Sequence, residues 1–260
     1  MPRPDPRTAA LEVVAERFNG AVVTFLSGSV IRGDATETSD LDLVVVYERL
    51  EAAYRESFVH GDWPVEAFVH DPETLRYFFL QVDRAAGVPS LPDMVASGVP
   101  LPRAGDLSHS LQALARETIS NGPPRWNAAD VAASRYAITN LVGDLRCPRS
   151  RAELIATATA LYSAVAEHFL RGQGFWSATG KGIPRQLEVV APTFAPRFTE
   201  VFAEVFANER VEPVIQLCEE VLAPHGGWLF SGHKAIAPTG WRLSSSVPAH
   251  DNALERTRDG

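Results

Sequence analysis

Asp40 and Asp42 are two acidic residues separated by one position, and they open an apolar run that continues to Val46. Side chains alternate between the two faces of an extended strand, so both carboxylates are expected to point the same way. Neighbouring carboxylates repel each other unless a positive group lies between them, and their hard oxygen ligands suit Mg²⁺ or Mn²⁺. The spacing therefore predicts a divalent metal site at the start of a strand.

A glycine-serine turn, Gly28 and Ser29, precedes this pair and follows an apolar run from Ala21 to Leu26. Such a turn offers backbone N–H groups and a hydroxyl to phosphate oxygens. A phosphate-binding turn next to a metal site predicts that the chain binds a nucleoside triphosphate.

Residues 28–46 resemble the nucleotidyltransferase superfamily, typified by DNA polymerase beta and the aminoglycoside nucleotidyltransferases. The motif is a Gly-Ser pair, an Arg-Gly pair in a short loop, and Ser-Asp-x-Asp followed by an apolar residue. The residues that match it are Gly28, Ser29, Arg32, Gly33, Ser39, Asp40, Leu41, Asp42 and Leu43. The rest of the chain resembles the family only loosely.

The resemblance implies roles for these residues. Asp40 and Asp42 are expected to be catalytic and to hold the metal, Mg²⁺ or Mn²⁺. The residues expected to bind the nucleotide, with ATP as the expected one, are Gly28, Ser29, Arg32 and Ser39. For Arg32, Gly33 and Ser39, loop geometry without ligand contact is the alternative.

Glu66 lies in a second apolar segment, Trp63 to Val69, which reads as a strand. It shares a face with apolar neighbours, where an unpaired carboxylate is costly. The nucleotidyltransferase family carries a third acidic residue on a neighbouring strand, and Val65-Glu66-Ala67-Phe68 matches that context. The resemblance implies that Glu66 is catalytic and a metal ligand, as part of a second metal site or as the general base. The alternative is an exposed glutamate on an edge strand.

Hydrophobic periodicity places the remaining N-terminal elements. A first helix is capped by Asp5 or Thr8, and a helical turn is expected over 48–54. Strands are expected over 21–27, 40–47, 55–59 and 63–69. Asp71 is expected to cap a helix that runs to Arg84, with a core face of Leu75, Phe78, Phe79 and Val82.

Residues 87–105 are rich in proline and glycine, which predicts a linker between two parts of the chain. The predicted domains are a catalytic domain over 1–100 and a helical bundle over 101–243, with a polar, disordered tail over 244–260. Helices are expected over 106–120, 128–145, 151–171, 183–190, 196–207 and 211–222. The predicted fold class is α+β, with a small mixed sheet and flanking helices of the nucleotidyltransferase fold followed by an α-helical bundle.

Lys181 ends a glycine- and aromatic-rich segment, Gly174 to Lys181, which resembles the lysine-bearing loop that follows a long helix in some members of the family. It is expected to reach the triphosphate if the bundle folds over the site; the alternative is a surface lysine. Trp126, Trp176 and Trp228 are expected either in the core or in a substrate cleft. The histidines between His225 and His233 lack metal-ligand spacing, which favours a structural role.

The composition restricts the expected partners and location. The net charge is −8, which disfavours nucleic acid as a partner and favours a cationic one. Two cysteines, Cys147 and Cys218, form neither a disulfide framework nor a zinc pattern. No apolar run approaches the ~20 residues of a membrane helix, and the N-terminus lacks a signal-peptide core, so no membrane partner and a cytoplasmic location are expected.

The expected function is metal-dependent transfer of a nucleoside monophosphate from a nucleoside triphosphate to a hydroxyl of a small acceptor, with release of pyrophosphate. A cationic acceptor such as an aminoglycoside is favoured by the acidic composition and by the context of Glu66. The alternative is a nucleotide-binding regulatory or antitoxin-like protein that adenylylates a protein tyrosine or has lost catalysis. The ribonuclease motif of the helical partners in such systems fits only Arg103 to His109, a match that we interpret as chance. The preferred nucleotide, the acceptor and the oligomeric state stay open at this point.

Overall fold

A computed structural model of the chain describes residues 3–238, 240 and 241. The strands are β1 (Val23–Ser27), β2 (Leu41–Val46), β3 (Tyr54–His60), β4 (Trp63–His70) and β5 (Val99–Leu101). The N-terminal helices are α1 (Pro6–Arg17), α2 (Ser29–Arg32), α3 (Pro72–Tyr77), α4 (Arg84–Ala86) and α5 (Ser90–Ser97), with a π-helical stretch (Phe78–Asp83) that joins α3 to α4. The later helices are α6 (Asp106–Asn121), α7 (Ala128–Arg146), α8 (Arg151–Gly172), α9 (Gly182–Val190), α10 (Phe194–Asn208) and α11 (Glu212–Leu222), followed by a 3₁₀ turn (Ala223–His225).

The five strands form one mixed sheet in the order β3-β4-β2-β1-β5. β2 and β4 pair in parallel, and the other neighbours pair antiparallel. The central strands β1 and β2 are almost wholly buried, as their near-continuous apolar sequences predicted. The predicted mixed sheet with flanking helices is confirmed.

Each face of the sheet carries its own apolar core. On one face, α1 packs Ala10 and Val13 against the alternating residues Leu41, Leu43 and Val45 of β2. On the other face, the segment from α3 to α6 covers Val44 and Val46 together with residues of β1. The polar residues at the start of β2 share this second face but lie beyond the covering helices, and this leaves them accessible.

A third core cluster, from Ile138 to Leu222, lies wholly within the C-terminal helices. The helical region that the periodicity predicted is confirmed, with helix ends that differ from the prediction by one or two residues. Two hydrogen bonds to backbone carbonyls help to attach it to the N-terminal part. The Ser177 N–H donates to the Gly87 carbonyl at 2.8 Å, and the Trp176 indole donates to the Ile119 carbonyl at 2.9 Å.

Three local predictions were wrong. Residues 48–53 form bends and irregular backbone rather than a helical turn, because the Leu50 N–H donates to the Asp71 carboxylate instead of closing a turn, and Tyr54 already belongs to β3. Val82 is 38% exposed, because the helix passes through π geometry there and the helical periodicity is shifted. The first strand begins at Val23 rather than at residue 21.

The linker predicted over residues 87–105 was also wrong, because these residues contain α5 and β5. Leu91, Val95 and Leu101 are buried, and β5 pairs with β1 as an edge of the sheet. Gln112 of α6 donates to the carbonyls of Val95 and Gly98, which ties this segment to the next helix. The division of the chain at residue 100 stays a prediction, and the tail over 244–260 lies outside the described residues.

Among the helices described here, none combines the length and the apolar character needed to cross a membrane.

Candidate active site

The three predicted acidic residues come together at one end of the sheet. Asp42 on β2 is paired in register with Glu66 on β4, and Asp40 directly precedes β2. Asp40, Asp42 and Glu66 each offer a carboxylate oxygen within 4.8 Å of the others, and all three residues are half-buried. The strand register therefore produces the acidic cluster, here called the triad.

The electrostatics of the triad are unfavourable when the carboxylates stand alone. Burial, followed by the charges of Asp40 and Glu66, raises the pKa of Asp42 to about 6, although Arg32 and Lys181 oppose this shift. A divalent cation removes such repulsion, and an all-carboxylate set of donors is the one that Mg²⁺ or Mn²⁺ prefers. The triad fits a metal of this class.

Gly28 lies in the turn between β1 and α2, in close contact with Asp42 of the triad. Its φ of 79° and ψ of −161° belong to a region that residues with a Cβ rarely adopt. A Cβ at this position would lie 2.0 Å from the Asp42 Oδ2 atom. Only glycine lets the backbone approach the carboxylate so closely, and the short helix α2 then begins at Ser29.

Ser39 holds the loop between α2 and β2 through its hydroxyl. The Ser39 Oγ accepts hydrogen bonds from the Ser29 hydroxyl at 2.9 Å and from the Thr36 N–H at 2.8 Å. Arg3 donates to the Ser39 carbonyl at 2.8 Å. These contacts define a structural part for Ser39, and they join Ser29 to the loop that leads to the triad.

Cationic side chains from α2 and from the start of α9 lie near the triad. Lys181 precedes the first residue of α9, and its charge acts on Asp42. Arg185, four residues later on the same helix, forms an ion pair with Asp34 of the α2–β2 loop at 2.8 Å. The Arg32 Nε atom lies 3.5 Å from the same carboxylate. The basic side of the site, Lys181 and Arg185, is thus joined through Asp34 to the α2–β2 loop, which leads to the acidic side, the triad.

Sequence reasoning did not identify Arg185, Asp34 or Arg55. Arg185 lies four positions after Lys181, so the helical repeat was a signal that both face the same way. Arg55 of β3 pairs with Glu66 at 2.6 Å, a contact that depends on the register of two strands. Glu66 is therefore not the unpaired carboxylate that its apolar neighbours suggested.

The histidines and tryptophans of the helical region lie in structural contacts. His168 is fully buried and is hydrogen-bonded to the Ser134 hydroxyl and to His225, each at 2.9 Å. Trp126 lies edge-on against His168. Trp176 is buried, and Trp228 packs against the helical core. Trp176 therefore lies in the core, which was one of the two expectations, while Trp126 and Trp228 are half-buried.

The N-terminal part of the chain is similar to a known protein family. Residues 8–81 match the family model described as a nucleotidyltransferase domain. The comparison with curated proteins gave no match. A solved structure of a nucleotidyltransferase-like protein from Exiguobacterium sibiricum 255-15 is similar to this chain, with 11% identity and a TM-score of 0.43 over 84% of this chain and 74% of that one. The family match and the mixed sheet identify the fold of the N-terminal part as that of a nucleotidyltransferase domain.

Proposed function

We propose that the protein transfers a nucleoside monophosphate from a nucleoside triphosphate, with ATP as the expected donor, to a hydroxyl group of a small acceptor. The observation that carries the proposal is the triad of Asp40, Asp42 and Glu66 with oxygens within 4.8 Å, next to the Gly28 turn. The nucleotidyltransferase match over residues 8–81 supports the same reaction class.

Asp40, Asp42 and Glu66 would hold Mg²⁺ or Mn²⁺. When bound, the ion neutralises charge that develops on the phosphates during transfer. The backbone and hydroxyl of the Gly28-Ser29 turn would bind phosphate oxygens, which fixes the triphosphate against the sheet.

Arg32 of α2, together with Lys181 and Arg185 at the start of α9, would neutralise the outer phosphates. The acceptor oxygen then attacks the α phosphorus, the bond from that phosphorus to the bridging oxygen breaks, and pyrophosphate leaves with the bonding electrons. The hydroxyl proton passes to a base, and Glu66 serves either as this base or as the third metal ligand.

We propose a cationic acceptor such as an aminoglycoside. The support is the net charge of −8 and the cluster of carboxylates at the site, since both attract a polyamine. Such an acceptor would approach the triad from the side of β4, away from the phosphate-binding turn.

The test is to incubate the purified protein with Mg²⁺, each of the common nucleoside triphosphates and a panel of aminoglycosides, and to identify nucleotidylated products by mass spectrometry. We expect an acceptor that gains a nucleoside monophosphate with stoichiometric pyrophosphate. Asp42→Asn should lower the rate about a thousandfold, because a metal contributes several kcal/mol to the barrier. Asp62→Asn, in the exposed β3–β4 turn, is the matched control and should keep wild-type activity.

Near-normal turnover by a folded Asp42→Asn protein would contradict the assignment of the triad. Nucleotidylation of the protein itself, with no modified aminoglycoside, would instead identify a protein side chain as the acceptor.

A further inference from the structure

Arg55 connects the exposed edge strand β3 to the triad. Its Nη2 atom lies 2.6 Å from the Glu66 Oε2 atom, and its guanidinium lies 4.7 Å from the centroid of the Phe68 ring. In the strand register Arg55 faces Phe68 and Ser57 faces Glu66, so the arginine reaches diagonally to Glu66 across the ring. Two contacts of different kinds thus fix one guanidinium over β4.

This contact fixes the direction of the Glu66 carboxylate. Arg55 holds the Oε2 atom from the side of β3, and the other carboxylate oxygen remains available towards Asp40 and Asp42. A metal ligand must be held in one direction, and residues that hydrogen-bond to a ligating carboxylate supply that orientation.

Arg55 also compensates part of the negative charge of the triad. Arg32 and Lys181 act on Asp42 from the α2 loop and from α9. Arg55 approaches from β3, on the far side of β4, and neutralises Glu66 there. It thereby limits the repulsion within the triad before any cation binds.

From this geometry we infer that Arg55 is a positioning residue, which orients Glu66 as the third metal ligand. The inference rests on the proposed function, because it assigns a part in the same metal site. Partners of metal ligands commonly affect metal affinity by about 10- to 100-fold when they are removed.

A second arginine, which also contacts β3, supplies a matched control. Arg17 of α1 pairs with Glu56 of β3 at 2.8 Å, and its guanidinium lies 4.2 Å from the Phe58 ring centroid. The chemistry repeats that of Arg55, but Glu56 and Glu66 belong to opposite faces of the sheet. Loss of either arginine removes one ion pair and one stacking contact, and only Arg55 touches the triad.

The experiment is to measure Mn²⁺ binding to the nucleotide-free protein by calorimetry, alongside kcat and the nucleotide KM. Arg55→Gln should weaken Mn²⁺ binding and lower kcat, each by about tenfold, with a nucleotide KM within about twofold of the wild type. Arg55→Lys should restore part of the affinity, because it keeps the charge but not the planar fork. Arg17→Gln should bind Mn²⁺ like the wild type.

The inference is overturned if a folded Arg55→Gln protein binds Mn²⁺ as tightly as the wild type, or if the wild type binds none. Failure of the proposed function gives a different pattern. In that case Mn²⁺ binds and depends on Asp42 and Arg55, but no nucleotide is transferred to any acceptor.

Discussion

The acidic and basic sides of the proposed site are held by different kinds of structure. Asp42 and Glu66 lie on adjacent strands whose backbone pairing is continuous, so their separation is set by the sheet. Lys181 and Arg185 lie at the start of α9 and are exposed. One side is a part of the sheet, and the other belongs to the helical region, which is joined to the rest by the hydrogen bonds of Ser177 and Trp176 and by the Arg185–Asp34 ion pair.

The difference indicates how much each side can change when a ligand binds. The ion pair between Arg185 and Asp34 joins two half-exposed groups, and such pairs contribute at most about 1 kcal/mol. In the proposed function a triphosphate would displace Asp34 from Arg185 at little cost, whereas the backbone of Asp42 and Glu66 cannot move without disturbing the strand pairing. We therefore expect substitutions on the acidic side to affect catalysis and those on the basic side to affect nucleotide affinity.

Gly28→Ala tests the acidic side, which is held by the sheet, and should have the largest effect on kcat. The added Cβ would lie 2.0 Å from the Asp42 Oδ2 atom, and the backbone conformation costs on the order of 1–3 kcal/mol for a residue other than glycine. Displacement of Asp42 should reduce kcat by at least about a hundredfold, measured by pyrophosphate release.

Gly61→Ala is the control for backbone strain alone, because Gly61 also has a positive φ of 56° but has nothing within 4 Å of the added Cβ. It should lose stability and keep its kcat. Equal activity of the two variants would mean that the acidic side is not rigid.

Lys181→Ala tests the basic side and should have an intermediate effect, on the nucleotide KM rather than on kcat. Loss of one charge at the phosphates should raise the nucleotide KM about tenfold and leave kcat within about threefold, which is the pattern of lost uniform binding. The sequence contains only one other lysine, Lys234, which is exposed, so Lys234→Ala is the matched control. A fall in kcat at constant KM would show instead that Lys181 acts in the transition state.

His70→Leu gives the smallest effect at neutral pH and reports on the desolvation of β4, the strand that carries Glu66. Burial lowers the pKa of His70 from 6.5 to about 4, and the charge of Asp71 opposes this only in part. The unfolded chain therefore binds the proton more readily. The contribution of neutral His70 to stability is complete above pH 6.5 and is lost as the pH falls towards 4.

Between pH 6.5 and about pH 4.5, the wild type should lose at most about 2 kcal/mol more unfolding free energy than the His70→Leu variant, measured by urea titration. His109→Leu, at an exposed position, is the comparison and should follow the wild type. Equal pH dependence of the wild type and His70→Leu would contradict a desolvated histidine on this strand.

The sequence was informative wherever a short repeat controls structure. Alternation along β2 predicted that Asp40 and Asp42 share a face, and the context of Glu66 predicted its place beside them. The helical repeat predicted α6 to α11 within one or two residues. In each case the relevant neighbours lie close together in the chain.

Contacts between distant segments were not predictable in the same way. The pairing of β5 with β1 is formed by a proline-containing segment whose composition favours loops, and buried apolar residues on both sides stabilise it. The Arg185–Asp34 pair requires that α9 lie over the α2–β2 loop, and no local pattern specifies that arrangement. The Arg55–Glu66 pair requires the register of a hairpin, which a strand assignment alone does not supply.

The hydrogen bond from the Ser177 N–H to the Gly87 carbonyl connects the helical region to the N-terminal part of the chain. Ser177 lies four residues before Lys181. A Cβ at position 87 would lie 2.7 Å from the Nε atom of the buried Arg171, so a larger residue there would displace that side chain. A shift at this hydrogen bond would move Lys181 relative to the carboxylates without altering either. In the proposed function, the distance that a nucleotide would bridge thus depends on a contact that touches neither Lys181 nor the triad.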